Sequence, residues 1–169
     1  MSMAGESPVG EGSFAVLLVE SGLVTEEQVQ SARASTHGAT TLIDDALIAL
    51  GHLDSDRLLL VMSRAWKLPI IDLSTGWVDD TLVCQWPGDI YLDGNWMPVR
   101  DQANGSVLVA TAREPDAARR DLVADVIQSP IEFAVAGSAD IRTAVLSAFD
   151  RPGRGRASRL LRAVTRRLE

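Results

Sequence analysis

His37, His52 and Cys84 are the chain's only imidazole and thiol groups, and they would be its natural metal ligands or nucleophiles. Their setting serves neither purpose. Zinc needs four such groups at short, regular spacings, whereas His37 stands in a linker, His52 follows a helix-ending glycine and Cys84 has no second thiol. Cys84 is followed by Gln85-Trp86, with no basic neighbour to generate a thiolate, so it reads as a buried structural thiol. Asp54-Ser-Asp56 begins like a calcium loop but lacks its central Gly and distal Glu; N-capping of a helix accounts for it better. Asp44-Asp45 and Asp79-Asp80 could work as acid and base only if one member of a pair were held protonated, and they read as solvated turns or helix starts. The single lysine, Lys67, precedes Leu68-Pro69 and not the Ser/Thr of a phosphate-cradling loop. No catalytic, cofactor-binding or metal-binding set is predicted, and the chain is not expected to be an enzyme. Four tryptophans, Trp66, Trp77, Trp86 and Trp96, remain as large side chains for packing or for a partner.

The elements that carry these residues begin with an internal repeat. Phe14–Val29 and Ile43–Leu58 align at a constant offset, matching Leu18 to Leu47, Gly22 to Gly51, Val24 to Leu53 and Thr25 to Asp54. Each copy reads as a helical hairpin. A first helix ends at the glycine, which takes the left-handed conformation at little cost, and one apolar residue follows. Thr25 or Asp54 then caps the second helix; Thr25-Glu-Glu-Gln28 has capping-box spacing. Leu58, Val61, Met62 and Ala65 recur at helical spacing.

Beyond Pro69 the pattern changes. Residues 69–73 read as a short strand, a turn of helix is expected from Asp79, and Pro87 opens another short helix. Residues 96–101 and 106–111 read as strands of a hairpin turning at Asn104-Gly105. Residues 115–128 read as a helix with Leu122, Val123 and Val126 on one side. Residues 131–135 read as a strand, and 138–149 as a helix with Ile141, Ala144, Val145 and Ala148 inward. The predicted class is α+β: a loose N-terminus over 1–12, two helical-hairpin repeats over 13–69, a small α/β domain over 70–150 with helices packed on a short sheet, and a basic linker or tail over 151–169.

Charge sharpens that division. Residues 1–150 hold nine basic and 22 acidic side chains, a net −13, while residues 151–169 hold seven Arg and one Glu, a net +6. An acidic body excludes nucleic acid as the main ligand. The basic tail could contact anionic lipid headgroups. The longest apolar runs, Ala15–Val19 and Leu58–Met62, are far short of the roughly 20 residues a membrane span requires. A lone cysteine fits a reducing compartment.

The repeat followed by Lys67-Leu-Pro-Ile-Ile-Asp-Leu73 resembles the N-terminal module of type II secretion and type IV pilus assembly ATPases. In that family a 24-residue motif occurs twice, five residues apart, and residues 13–36 and 42–65 keep this spacing. Trp96-Met-Pro-Val99, the Asn-Gly hairpin, Val107-Leu-Val-Ala-Thr111 and Pro130-Ile-Glu-Phe133 follow in the family's order, so the likeness runs over about residues 13–149.

The resemblance implies a non-catalytic docking or regulatory module, cytoplasmic and possible at the inner face of the membrane. Its implied partner is the cytoplasmic part of an inner-membrane assembly protein, of a secretion, pilus or glycosyltransferase system, or a downstream domain of the same machine. The alternative it implies is a cyclic di-GMP sensor, because some members' motifs open with Arg-Leu-Gly and close with Gln to hold that ligand. Here the Arg positions hold Ser13 and Leu42, the Leu positions Phe14 and Ile43, the Gly positions Ala15 and Asp44, and the Gln positions Thr36 and Ala65. Neither Ser nor Leu can stack a planar cation on guanine. The hydrophobic frame survives in Leu17, Leu18, Gly22, Leu47, Ile48 and Gly51, with Gly22 and Gly51 the structural repeat glycines. Arg33 and Arg64 are the substitute cations. Together with Ser13, Phe14, Leu42, Ile43 and Trp66 they form the expected ligand or partner surface.

Overall fold

The computed structural model describes residues 9–36, 42–74 and 76–150. The 151–169 tail lies outside them. The chain divides after Lys67 into two compact units.

The first unit holds α1 (Val9–Glu20), α2 (Glu26–Ser35), α3 (Ile43–Ala49) and α4 (Ser55–Trp66). Helix α1 opens at Val9, inside the stretch expected to be loose. Both hairpin turns close in the same way. Leu23 N donates to Leu18 O at 3.1 Å, and His52 N to Leu47 O at 2.9 Å. These are the six-to-one bonds of a Schellman ending, and they require the left-handed residues Gly22 (φ 71°) and Gly51 (φ 73°). Val24 and Leu53 are then turned inward and buried. Thr25 and Gln28 form the capping box, and Asp54 caps α4 by accepting from Arg57 N at 3.0 Å. Leu18, Ala32 and Leu47 are fully enclosed, with Val29, Leu58 and Met62 around them. On α4 Val61 is only partly buried and Ala65 is exposed, so the inward stripe is narrower than its spacing suggested.

The second unit holds α5 (Asp80–Val83), α6 (Gly88–Gly94), β1 (Trp96–Asp101), β2 (Val107–Thr111), α7 (Ala117–Ile127), β3 (Ile131–Val135) and α8 (Ser138–Asp150). The sheet order is β1-β2-β3, with β1 antiparallel and β3 parallel to β2. The fold is α+β. Pro98 lies in β1 at the sheet edge, where its missing N–H costs no ladder bond. The register shifts between Pro98 and Arg100, and Val99 O accepts from Asp79 N at 2.7 Å. The Asn104-Gly105 turn is tied to β3, because Glu132 accepts from Asn104 Nδ2 at 2.7 Å and from Ser106 Oγ at 2.9 Å. These bonds hold the Glu132 carboxyl below the usual carboxylate range. Fully buried Trp96 meets Tyr91 edge-on at 5.2 Å in a core with Val99, Val109, Val123, Phe133, Ile141 and Val145.

Two expectations fail here. Residues 69–73 form a single bridge, Ile70 to Val135, and not a strand. Asp72 then accepts from Ser74 N and Ser74 Oγ, which turns the chain away. Leu122 is 51% exposed, because α7 turns Val123 and Ile127 to the core instead. No helix among the described residues is long and apolar enough to cross a membrane.

Candidate docking site

The residues that would face a ligand in the repeat take four different environments. Phe14 is buried and its ring lies 6.3 Å from that of Trp66, so it belongs to the core of the first unit and not to its surface. Ile43 is buried as well, and Leu42 is the half-buried N-cap of α3. Ala15 is buried, and so is Asp44. Of the two readings of the paired aspartates, solvated turns or helix starts, the structure shows helix starts, with Asp44 and Asp45 in the first turn of α3 and Asp79 and Asp80 opening α5, and with Asp44 and Asp80 turned out of solvent. Ser13 falls within α1, but its side chain is outside the described set. Thr36 closes α2, its hydroxyl donating to Arg33 O at 3.0 Å. Arg33 and Arg64 are exposed in the last turns of α2 and α4.

Between α1 and α2 lies a groove of about 210 Å³ lined by Ala15, Val16, Val19, Glu20, Glu26, Val29, Gln30 and Arg33. Its floor is apolar, and Val16 is 54% exposed on it. Glu20, Glu26, Gln30 and Arg33 supply polar groups at the rim. Of the six candidate surface residues whose side chains are described, only Arg33 lines this groove. One contact that spacing did not reveal joins the repeats. The Gln28 amide nitrogen, in the capping box of the first copy, lies 3.4 Å from His52 Nδ1 in the turn of the second.

In the second unit, Trp77 is half exposed over Arg100, whose guanidinium carbon lies 4.2 Å from the ring centre. They flank a groove of about 380 Å³ with Ile70, Leu108 and Ala134. Cys84 is buried, its thiol 3.5 Å from Ala148 O, as a structural thiol should be. Tyr91 donates to Val83 O at 2.8 Å, and burial raises its hydroxyl far above the normal range. Burial also lowers Arg119, which donates to Gly94 O. Among the described residues no group of three His, Cys, Asp or Glu side chains could hold a metal ion.

The arrangement of helical hairpins and a small three-stranded α/β unit recurs in solved proteins. One is MshE, solved with cdg, at TM-score 0.56 and 24% identity, covering 80% of this chain and 97% of that one. Another is the N-terminal domain of XpsE, at TM-score 0.59 and 17% identity, covering 83% and 96%. No protein of curated function matches. The model of the MshEN domain matches residues 66–155, which contain the bridge at Ile70, the sheet and all four helices of the second unit. With more than half of its length in that match, the chain belongs to the MshEN domain family.

Proposed function

We propose that this chain is a non-catalytic docking and regulatory module of a type II secretion or type IV pilus assembly ATPase system, working at the cytoplasmic face of the inner membrane. The α1–α2 groove takes apolar side chains from a protein partner, either a cytoplasmic segment of an inner-membrane assembly protein or a downstream domain of the same machine. The observation that carries this reading is the half-exposed Val16 on an apolar floor. The family membership and the missing motif arginines at Ser13 and Leu42 support it. A cyclic di-GMP sensor is the second reading. It draws on the fold shared with MshE, solved with cdg, and on Arg33 at the groove rim. A buried carboxylate at Asp44, in the position of a motif glycine, opposes an anionic ligand.

Titration calorimetry against cytoplasmic segments of inner-membrane assembly proteins, with the wild type and Val16→Glu, tests the first reading. At least one segment is expected to bind, and the variant to bind it about tenfold or more weakly, as a charge at an apolar contact should. In parallel, cyclic di-GMP at 100 times its Kd would add about 2.7 kcal/mol, several degrees in Tm. A shift selective over GTP would replace the docking reading with the sensor.

A further inference from the structure

In the second unit Arg113, Arg119 and Arg120 each donate from the guanidinium to a backbone oxygen, that of Ala112, Gly94 and Pro115 in turn. The Arg100 guanidinium donates to none of the described residues. Its Nε is shut off from solvent with no acceptor, and its carbon lies 4.2 Å from the centre of the Trp77 ring. The ring attracts the charge and fixes its position, but it supplies no oxygen to the N–H groups. An ionised donor left without an acceptor is costly, so a carboxylate brought to it is favoured.

The strand register sets this donor beside an apolar floor. Arg100 pairs with Leu108, and Leu108 with Glu132 on β3, so the three share one face of the sheet. Ala134 lies two residues beyond Glu132 and falls on the same face. Glu132 is two strand spacings from Arg100, about 10 Å, and its carboxylate is taken up by Asn104 and Ser106. Leu108, Ala134, Ile70 and Trp77 line the groove of about 380 Å³ with Arg100. Ile70 is 42% exposed. The other charged residue lining the groove, Asp72, accepts from Ser74. Because Ile70 bridges to β3, the groove crosses the strands from Arg100 to Ile70 over three spacings, about 14 Å, the length of about four extended residues.

We propose that this face of the sheet binds an extended segment of a partner protein that carries an aliphatic side chain and, two residues along, a carboxylate. The aliphatic group packs on Leu108, Ala134 and Ile70, and the carboxylate accepts from the Arg100 guanidinium. Side chains two residues apart in an extended chain are about 6.6 Å apart, which spans the step from Arg100 to the gap between Leu108 and Ala134. Residues 68–150 hold 13 acidic against five basic side chains, so a carboxylate is repelled over most of this unit and Arg100 fixes where it lands. The site lies wholly in the second unit and is independent of the α1–α2 groove.

Two blocked pentapeptides test it against the full chain: acetyl-Thr-Leu-Thr-Glu-Thr-amide and its counterpart with Gln in place of Glu. NMR follows the methyl groups of Leu108 and Ala134 and the Arg100 Nε–H. The glutamate peptide is expected to bind with a Kd of about 1 mM, on the strength of one buried leucine and one charge-assisted bond. The glutamine peptide is expected to bind about tenfold or more weakly, having lost the charge. Arg100→Gln is expected to bring the two peptides within about twofold of each other. Val16→Glu is expected to leave both unchanged, which separates this site from the α1–α2 groove. Equal affinity of the two peptides for the wild type overturns the proposal, and so does a glutamate preference that survives Arg100→Gln. A glutamate peptide with Ala in place of Leu that binds as tightly shows a bare anion contact and also overturns it. So do Leu108 and Ala134 shifts that grow with protein concentration alone (a second copy), or no shift at all with peptide up to about 10 mM.

Discussion

The two units put their structural information in different places. The helical unit is specified by its turns: two glycines at positive φ, two caps and two six-to-one bonds, repeated at a fixed offset. The α/β unit is specified by its core, where Trp96, Tyr91 and Val99 are brought from the chain's middle against Ile141, Val145 and Ala148 near its end. Local rules can be read from short windows of sequence. Long-range packing cannot, because loop closure must be completed before those contacts exist.

Gly94 and Gly51 make this contrast testable at the level of single atoms. A Cβ added at Gly94 would land on Cδ1 and Nε1 of the fully buried Trp96, whereas one added at Gly51 would meet nothing within 4 Å. The largest effect is expected from the core. Trp96→Ala should lower unfolding free energy by roughly 3–5 kcal/mol in denaturant titration, and Gly94→Ala should cost about 1–3 kcal/mol by overpacking. A cost near zero for Trp96→Ala would show that the core of the second unit is not what specifies it. Next comes Gly51→Ala, where only the left-handed backbone is strained. The expected loss is roughly 1–2 kcal/mol, read from amide exchange of α3 and α4. A larger loss would mean that the turn also packs, and the distinction between the units would narrow.

The smallest effect is a pH dependence at the sheet hairpin. The carboxyl of Glu132 is lowered by bonds from Asn104, Ser106 and Gln102, so its folded pKa lies below its unfolded one. Its contribution is complete above the ordinary carboxylate pKa of about 4.3 and is lost as pH falls through the lower folded value. Amide exchange at residues 104–106, corrected for intrinsic rate, should quicken only in acid, and Glu132→Gln should remove that acid step. An acid step that persists in Glu132→Gln would assign it to another carboxylate.

What was legible in the sequence follows the same division. The repeat, its glycines, both caps, the Asn-Gly hairpin and the inward face of α8 were readable because each depends on residues within a few positions. The burial of Phe14 and Ile43 was not, because a resemblance to ligand positions says nothing of which way a helix is rotated. Leu122 was placed inward by spacing alone, and the packing of Val123 and Ile127 overrode it. The strand expected at residues 69–73 shrank to one bridge because Asp72 and Ser74 satisfy each other locally. The link between Gln28 and His52 joins different repeats, and neither window contains both residues.

The half-exposed Trp77 above Arg100 gives the molecule an optical handle on its sheet-face groove. Of the four tryptophans Trp77 is the most exposed, at 51%, whereas Trp66 and Trp86 are partly buried and Trp96 is wholly enclosed, so Trp77 is the indole expected to be quenched most readily by acrylamide. Trp77 is the one tryptophan lining the groove beside Ile70 and Leu108, so a molecule seated there is expected to shield it from acrylamide while the quenching of Trp66, Trp86 and Trp96 stays as it was. Occupancy of that groove can therefore be followed by fluorescence in the unlabelled, unmodified protein.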